Sequence, residues 1–193
     1  MTTDPLGREV LVRTGARVLL VDGAGRVLLM RGHDPAEQPP RRYWFTVGGG
    51  LEPGEDDRQG AVRELHEETG LRVGVDDVVG PLWHEDVEFG FDRWWVRQAQ
   101  RYYAVRVEPA AGWAPTPAGL EPGEAATVDR WAWWSVDQLR AQAAGLPNDG
   151  PGEPGEVVYP AELPDLLDAL SSGGCAPRSC SPAPGGCGYP GCR

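Results

Sequence analysis

Runs of apolar residues recur along the chain, separated by short segments of polar residues and glycine. Residues 16–31, ARVLLVDGAGRVLLMR, hold two such runs around DGAG, a pattern typical of a β-hairpin. Residues 43–47, YWFTV, predict a short strand that leads into a turn of three glycines, residues 48–50. Further strands are predicted at residues 71–79, 81–89, 93–107 and 131–135.

Three segments have helical patterns. A helix is expected over about residues 56–69, with Gly70 as its C-terminal cap, because glycine enters the left-handed conformation without steric cost. Ser135 begins a capping box for a helix over residues 136–144, and leucines on one side of residues 159–170 predict a final amphipathic helix. This order of elements favours an α/β fold, in which a mixed sheet is covered on both faces.

The composition restricts the partners that the protein can bind. A chain of 193 residues suits one globular domain, and its formal net charge of −11 repels nucleic acid polymers and anionic membranes. An acidic protein still binds a small phosphate-bearing molecule where a divalent cation bridges the two. The chain has neither an apolar run of transmembrane length nor a secretory pattern at its N-terminus, so we expect a cytoplasmic location.

The last part of the chain differs from the rest in composition. Residues 172–193 are rich in glycine, proline and serine and hold all four cysteines, so we expect a domain over residues 1–171 and a disordered tail over 172–193. A disulfide framework for the domain is excluded, because no cysteine lies within it. A zinc site in the tail is the less favoured alternative, because the usual close cysteine pairs are absent.

The helix over residues 56–69 places three carboxylates together. At about 100° per residue, Glu64, Glu67 and Glu68 point into one arc of about 100°, while Ala61 and Leu65 belong to a second, mainly apolar side. One side can therefore pack on a sheet while the other presents oxygen ligands, which Mg²⁺ prefers. The alternative is a solvated acidic helix face without a ligand.

The spacing of the whole segment resembles the Nudix box. The pattern is a glycine, five residues, a glutamate, seven residues, then Arg-Glu-apolar-any-Glu-Glu-any-Gly-apolar. The matching positions are Gly49, Glu55, Arg63, Glu64, Leu65, Glu67, Glu68, Gly70 and Leu71. The box covers only residues 49–71, and a looser similarity of layout extends over about residues 10–170. The resemblance implies an α/β/α sandwich around a mixed β-sheet.

The resemblance also implies an activity: Mg²⁺- or Mn²⁺-dependent hydrolysis of the pyrophosphate linkage in a nucleoside diphosphate joined to another group. Arg63 would orient the outer carboxylate Glu55. The metal ligands that the resemblance implies are the Gly48 carbonyl, Glu64, Glu67 and Glu68.

The resemblance leaves the general base open. A carboxylate must accept a proton from the attacking water, and Glu64 or Glu68 can do so. In many members of the family a glutamate on a loop beyond the box serves instead. Glu124, and with less weight Glu121, occupies such a loop here.

Substrate recognition outside the box is less specified. Arg31, Arg41 and Arg42 are candidates for binding phosphate, and Trp44 is a candidate for stacking on a base. The alternatives are solvent-exposed arginines and a tryptophan packed in the core. A second functional class, a nucleotide sensor without turnover, stays open beside the hydrolase, and so does a homodimer.

Overall fold

A computed structural model of the chain describes residues 7–110, 112–117, 119–120 and 125–172. Within these residues the chain forms seven strands, three α-helices and one short 3-10 helix, Val75–Asp77. The strands are β1 (Glu9–Asp22), β2 (Val27–His33), β3 (Arg42–Gly50), β4 (Val79–Phe91), β5 (Trp94–Val107), β6 (Val128–Trp134) and β7 (Val157–Tyr159). The helices are α1 (Asp57–Thr69), α2 (Val136–Ala143) and α3 (Leu163–Ser171).

The strands form one mixed sheet in the order β4-β5-β1-β2-β3-β7, and β6 pairs with β2. Strands β1 and β5 are parallel, as are β3 and β7, while the other pairs are antiparallel. Strand β1 also pairs directly with β3, where Gly15 lies opposite Gly50 and Arg17 opposite Gly48. The middle of β1 and the glycines of β3 therefore lie side by side.

Alternation along β1 divides the core between the two faces of the sheet. Val18 and Leu20 face helix α1, together with its Ala61 and Leu65. On the other face, Leu19 and Val21 pack in a cluster with residues of α2 and α3; its helical members are Leu139, Leu163, Leu166 and Leu167. The predicted α/β sandwich with a mixed sheet is confirmed, and none of the helices in the described residues is long and apolar enough to cross a membrane.

Two of the predicted helices begin and end close to the positions expected from their caps. The side chain of Asp56 accepts from the backbone N–H groups of Arg58 and Gln59, and Gly70 ends α1 with φ 77°. Ser135 caps α2 in the expected capping box. These caps depend only on residues next to them in the sequence, so the sequence predicts them correctly.

Other predictions were wrong. Residues 48–50 lie inside strand β3 rather than in a turn, because they pair with β1. Residues 71–79 hold the 3-10 helix instead of a strand, and the Asp77 carboxylate accepts from the Gly74 N–H at 2.7 Å, a local bond that competes with strand pairing. The last helix begins at Leu163, because residues 157–159 form β7 beside β3.

Residues 173–193 of the predicted tail, which hold its four cysteines, lie outside the described residues. The domain limits, the disorder of the tail and the zinc alternative therefore stay predictions.

Removal of the α2 cap tests the local contribution of Ser135. Ser135→Ala is expected to lower the free energy of unfolding by about 1 kcal/mol, because the Gln138 N–H loses the oxygen that it contacts at 3.2 Å. Ser135→Asp retains an acceptor and is the matched control, expected to keep nearly native stability. Urea unfolding followed by circular dichroism measures both, and an equal loss in the two variants would contradict the capping role.

Candidate active site

Helix α1 carries its glutamates to the end of strand β3. Glu68, only 8% exposed, accepts from the Gly48 backbone N–H through Oε2 at 2.6 Å. Ala61 and Leu65, on the apolar side of the helix, are fully buried against the sheet. The helix therefore has the two sides that its sequence predicts, and its acidic side meets the backbone of β3.

The glycines of β3 make this close approach sterically allowed. Gly48 has φ 115°, and a Cβ added there would collide with the carbonyl oxygen of Ala16. A Cβ at Gly49 would lie 2.8 Å from Glu64 Oε1, which is closer than real Cβ contacts. A side chain at Gly48 would therefore push β3 away from β1, and one at Gly49 would displace the carboxylate of Glu64.

Arg63 links three of the carboxylates. Its Nε and Nη2 donate to the two oxygens of Glu55, each at 2.9 Å, and Nη1 donates to Glu64 at 3.0 Å and to Glu67 at 2.9 Å. Nη2 also donates to the Gly50 carbonyl at 2.9 Å. The guanidinium thus holds Glu55 against the helix and ties the helix to β3, as expected for the outer carboxylate and its orienting arginine.

The pKa values in this group shift in opposite directions. The hydrogen bonds from Arg63 hold the pKa of Glu55 below its ordinary value, and the bond with Glu55 raises the pKa of Arg63. Burial raises the pKa of Glu64, although Arg63 and Arg17 act against this rise. Glu64 is therefore a stronger base than an exposed glutamate, and Glu55 is a weaker one.

The donor set fits a hard divalent cation in its chemistry. Glu64, Glu67, Glu68 and the Gly48 carbonyl offer only oxygen atoms, which suit Mg²⁺ and Mn²⁺. In the part of the chain that the structure describes, no three acidic, histidine or cysteine side chains are arranged so that they could hold a metal ion together. Arg63 takes oxygens of Glu64 and Glu67, so a cation would compete with this guanidinium for them.

The predicted substrate-binding residues lie elsewhere. Trp44 is fully buried, packs on Trp134 and donates to Glu156 at 2.7 Å, so the prediction that it stacks on a base is wrong. Arg31 and Arg42 both pair with Asp129 at 2.7 Å. Arg42 begins β3, about 20 Å from Gly48 by the rise of six strand residues, and does not reach the box glycines.

Two further candidates have different outcomes. Arg41 is 83% exposed and pairs with Glu37 in the loop before β3, away from the carboxylates of α1. Glu124, and likewise Glu121, lies outside the described residues, so its role as a general base stays a prediction.

Several polar residues that were not among the predicted site residues lie beside the box glycines, on β1, β4 and β5. Arg17 donates to the Gly48 carbonyl through Nη1, and to Gln100 through Nε at 3.2 Å. The sequence contains a pattern that predicts the positions of the two glutamines of β5. Gln98 and Gln100 alternate with other residues inside a predicted strand, so both side chains point to one face, and this face is buried.

Comparisons with known proteins agree with the box. The NUDIX domain profile matches residues 11–153. The chain belongs to the Nudix family. It is 34% identical over 143 residues to an RNA pyrophosphohydrolase of Rhizobium meliloti (strain 1021), across 69% of this chain and 76% of that protein. The predicted family, and with it the assignment to the Nudix-type pyrophosphohydrolases, is confirmed.

Two solved structures share the fold. The MutT protein from Methanosarcina mazei Go1 superposes with a TM-score of 0.51 at 17% identity, covering 86% of this chain and 96% of that one. An Ap4A hydrolase from C. elegans superposes with a TM-score of 0.50 at 18% identity, covering 84% and 98%. At these identities the likeness supports the Nudix fold alone.

The Glu55–Arg63 pair predicts a pH dependence of stability. The folded pKa of Glu55 lies below its ordinary value of 4.5, so the pair stabilises the fold above this pH. The contribution is lost as the pH falls through the lower, folded pKa. Glu55→Gln is expected to reduce the free energy of unfolding by about 1–2 kcal/mol at neutral pH, and by progressively less below pH 4.5.

Urea unfolding over a series of pH values measures this difference. Glu52→Gln, at an exposed position in the same loop, is the matched control and is expected to stay within about 0.5 kcal/mol of the native protein. A constant gap between the native protein and Glu55→Gln down to strongly acidic pH would contradict the role of the charged pair.

Proposed function

We propose that the protein is a divalent-metal-dependent hydrolase that cleaves the pyrophosphate linkage of a nucleoside diphosphate joined to another group. The observation that carries this proposal is the contact of α1 with β3, in which Glu68 bonds to Gly48 and Glu64 lies against Gly49. The contact supports the proposal because it brings the carboxylates of Glu64 and Glu68 beside the backbone of β3, where oxygen ligands for a cation would lie close together.

The residues that would hold Mg²⁺ or Mn²⁺ are the Gly48 carbonyl, Glu64, Glu67 and Glu68. When bound, such a cation neutralises phosphate charge and lowers the pKa of a coordinated water. Glu67 is about one-third exposed and is more accessible to solvent than Glu64. Glu67 would therefore contact the ion from the solvent side. Arg63 and Glu55 hold the helix carboxylates in place without contacting the substrate.

The general base is one of the buried glutamates in this proposal. Glu64 lies against Gly49 and would accept the proton of the attacking water through a carboxylate oxygen. The bond from the Gly48 N–H fixes the orientation of Glu68, whose second oxygen can accept a proton from water. Glu124 is the alternative base, supported by the loop position that its sequence indicates.

A second candidate substrate is the 5′ end of an RNA. The relative from Rhizobium meliloti is named an RNA pyrophosphohydrolase, and a 5′ triphosphate end contains the same linkage as a free nucleotide. The net charge of −11 disfavours extended contacts with an RNA backbone, so a small nucleotide is the first candidate. A nucleotide sensor without turnover is disfavoured because the box retains all its glutamates.

Substitution of the metal-ligand glutamates tests the chemistry. Glu67→Gln and Glu68→Gln are each expected to lower metal-dependent turnover at least about 100-fold while the protein stays folded, because an amide replaces a charged oxygen ligand. Glu88→Gln, which removes an exposed carboxylate from β4, is the matched control and should retain activity. Unchanged turnover in both box variants would rule out the metal-site assignment.

The substrate is tested by release of phosphate or pyrophosphate from a panel of compounds with millimolar Mg²⁺, with and without EDTA. The panel holds nucleoside triphosphates, oxidised nucleotides, ADP-ribose, dinucleoside polyphosphates, NADH, coenzyme A and a short 5′-triphosphorylated RNA. We expect EDTA-sensitive hydrolysis of one of the small nucleotides. Hydrolysis of the RNA alone would select the second candidate, and binding without any hydrolysis would favour the sensor.

A further inference from the structure

A connected set of polar side chains lies beside the box glycines, and we name it the amide ladder. Gln98 donates to Gln100 at 2.7 Å, and Gln100 in turn donates to Glu85 at 2.6 Å and to Tyr102 at 2.9 Å. The ladder consists of Glu85 on β4 and Gln98, Gln100 and Tyr102 on β5. Its two glutamines are only 1% and 6% exposed, so the network is built into the sheet rather than solvated.

Two arginines of β1 lie against this ladder. Arg13 donates to Gln98 at 2.6 Å, and Arg17 donates to Gln100 at 3.2 Å. Gly50 of β3 leaves room for the guanidinium of Arg13, because a Cβ at Gly50 would lie only 3.1 Å from Arg13 Nη1. The nine-residue strand that supplies the Gly48 carbonyl thus also borders both arginines.

The partners of Arg17 are electrically neutral. Its hydrogen bonds go to the Gln100 side chain and to the carbonyl oxygens of Thr46 and Gly48. The Arg17 side chain is partly exposed. By contrast, Arg31 and Arg42 pair with carboxylates. These are two of the arginines that the sequence suggests for phosphate binding. Among the residues that the structure describes, no carboxylate forms an ion pair with Arg17.

Arg17 is also joined to the box itself. Gly48 accepts from Arg17 through its carbonyl and donates to Glu68 through its N–H, so one residue of β3 connects the guanidinium to a carboxylate of the box. Arg17 lies close enough to Glu64 to oppose the rise of its pKa, although no ion pair forms between them. A phosphate beside the box carboxylates would come within reach of this guanidinium.

We infer that Arg17 binds a phosphate group of the substrate and that Gln100, supported by Gln98, is the positioning residue that holds the guanidinium toward it. The inference rests on the proposed function, because it assigns the phosphate contact of that same site. A polyanionic substrate approaching four glutamates needs a cation that no carboxylate has neutralised, and Arg17 meets this condition. Its planar donors suit the paired oxygens of a phosphate.

The test uses methylenediphosphonate, whose carbon bridge cannot be hydrolysed, so binding is separated from turnover. Calorimetric titration with Mg²⁺ present is expected to show about 10- to 100-fold weaker binding by Arg17→Gln than by the native protein. Arg17→Lys, which retains the charge but not the planar fork, is expected to lie between them. Arg97→Gln is the matched control, because Arg97 lies on the opposite face of β5, is exposed and pairs with Glu88.

Gln100 needs a readout that distinguishes positioning from general stability. Gln100→Met is expected to weaken probe binding several-fold in the native background. It is expected to add little in the Arg17→Gln background, because Gln100 acts by positioning Arg17. In the kinetics of a panel compound that is hydrolysed, Arg17→Gln is expected to raise KM more than it lowers kcat. Equal additional losses from Gln100→Met in both backgrounds would overturn the positioning role.

The inference and the proposed function fail in different ways. Native binding of the probe by a folded Arg17→Gln, or no binding by the native protein, overturns the inference even where a panel compound is hydrolysed. Arg17-dependent binding without hydrolysis of any compound overturns the proposed function and supports the phosphate contact. Thermal unfolding checks each variant, and Arg17→Met, which keeps the apolar stem, replaces Arg17→Gln where the latter does not fold.

Discussion

The close contact between helix α1 and the glycines of β3 is the constraint on which the site depends. Glu68 bonds to the Gly48 N–H, and Arg63 bonds to the Gly50 carbonyl, so the helix is tied to the strand at two points. Between them, Gly49 leaves space that the carboxylate of Glu64 occupies. A larger residue at Gly49 would displace this carboxylate from the strand.

The second constraint is the balance of charge within this contact. Glu55, Glu64 and Glu67 all lie around the guanidinium of Arg63, which reduces their mutual repulsion. Glu68 accepts from the backbone N–H of Gly48. Burial of Glu64 raises its pKa despite the nearby arginines, so the site does not fully compensate the charge of its own carboxylates. That residual preference for positive charge is what a divalent cation would satisfy.

Local signals account for the parts of the fold and site that the sequence predicts. The caps at Asp56, Gly70 and Ser135 need only neighbouring residues, and so does the spacing of the box. Strand β7 was missed because its three residues form a strand only by pairing with β3, far away in the sequence. For the same reason the sequence leaves Trp44 between base stacking and core packing: the contacts with Trp134 and Glu156 that bury it depend on the tertiary fold.

The amide ladder shows why the charge of an arginine cannot be judged from its sequence neighbours. The parallel register of β1 and β5 sets Arg13 opposite Gln98 and Arg17 opposite Tyr102, with Gln100 between them on the same face. A slip of one residue would turn these glutamines to the other face of the sheet, where Arg97 and Arg101 now pair with carboxylates. The neutral hydrogen-bond partners of Arg17 therefore depend on the register of β1 and β5. Farther along the same strand pair, the buried residues Leu19 and Ala104 lie opposite each other and help to fix this register.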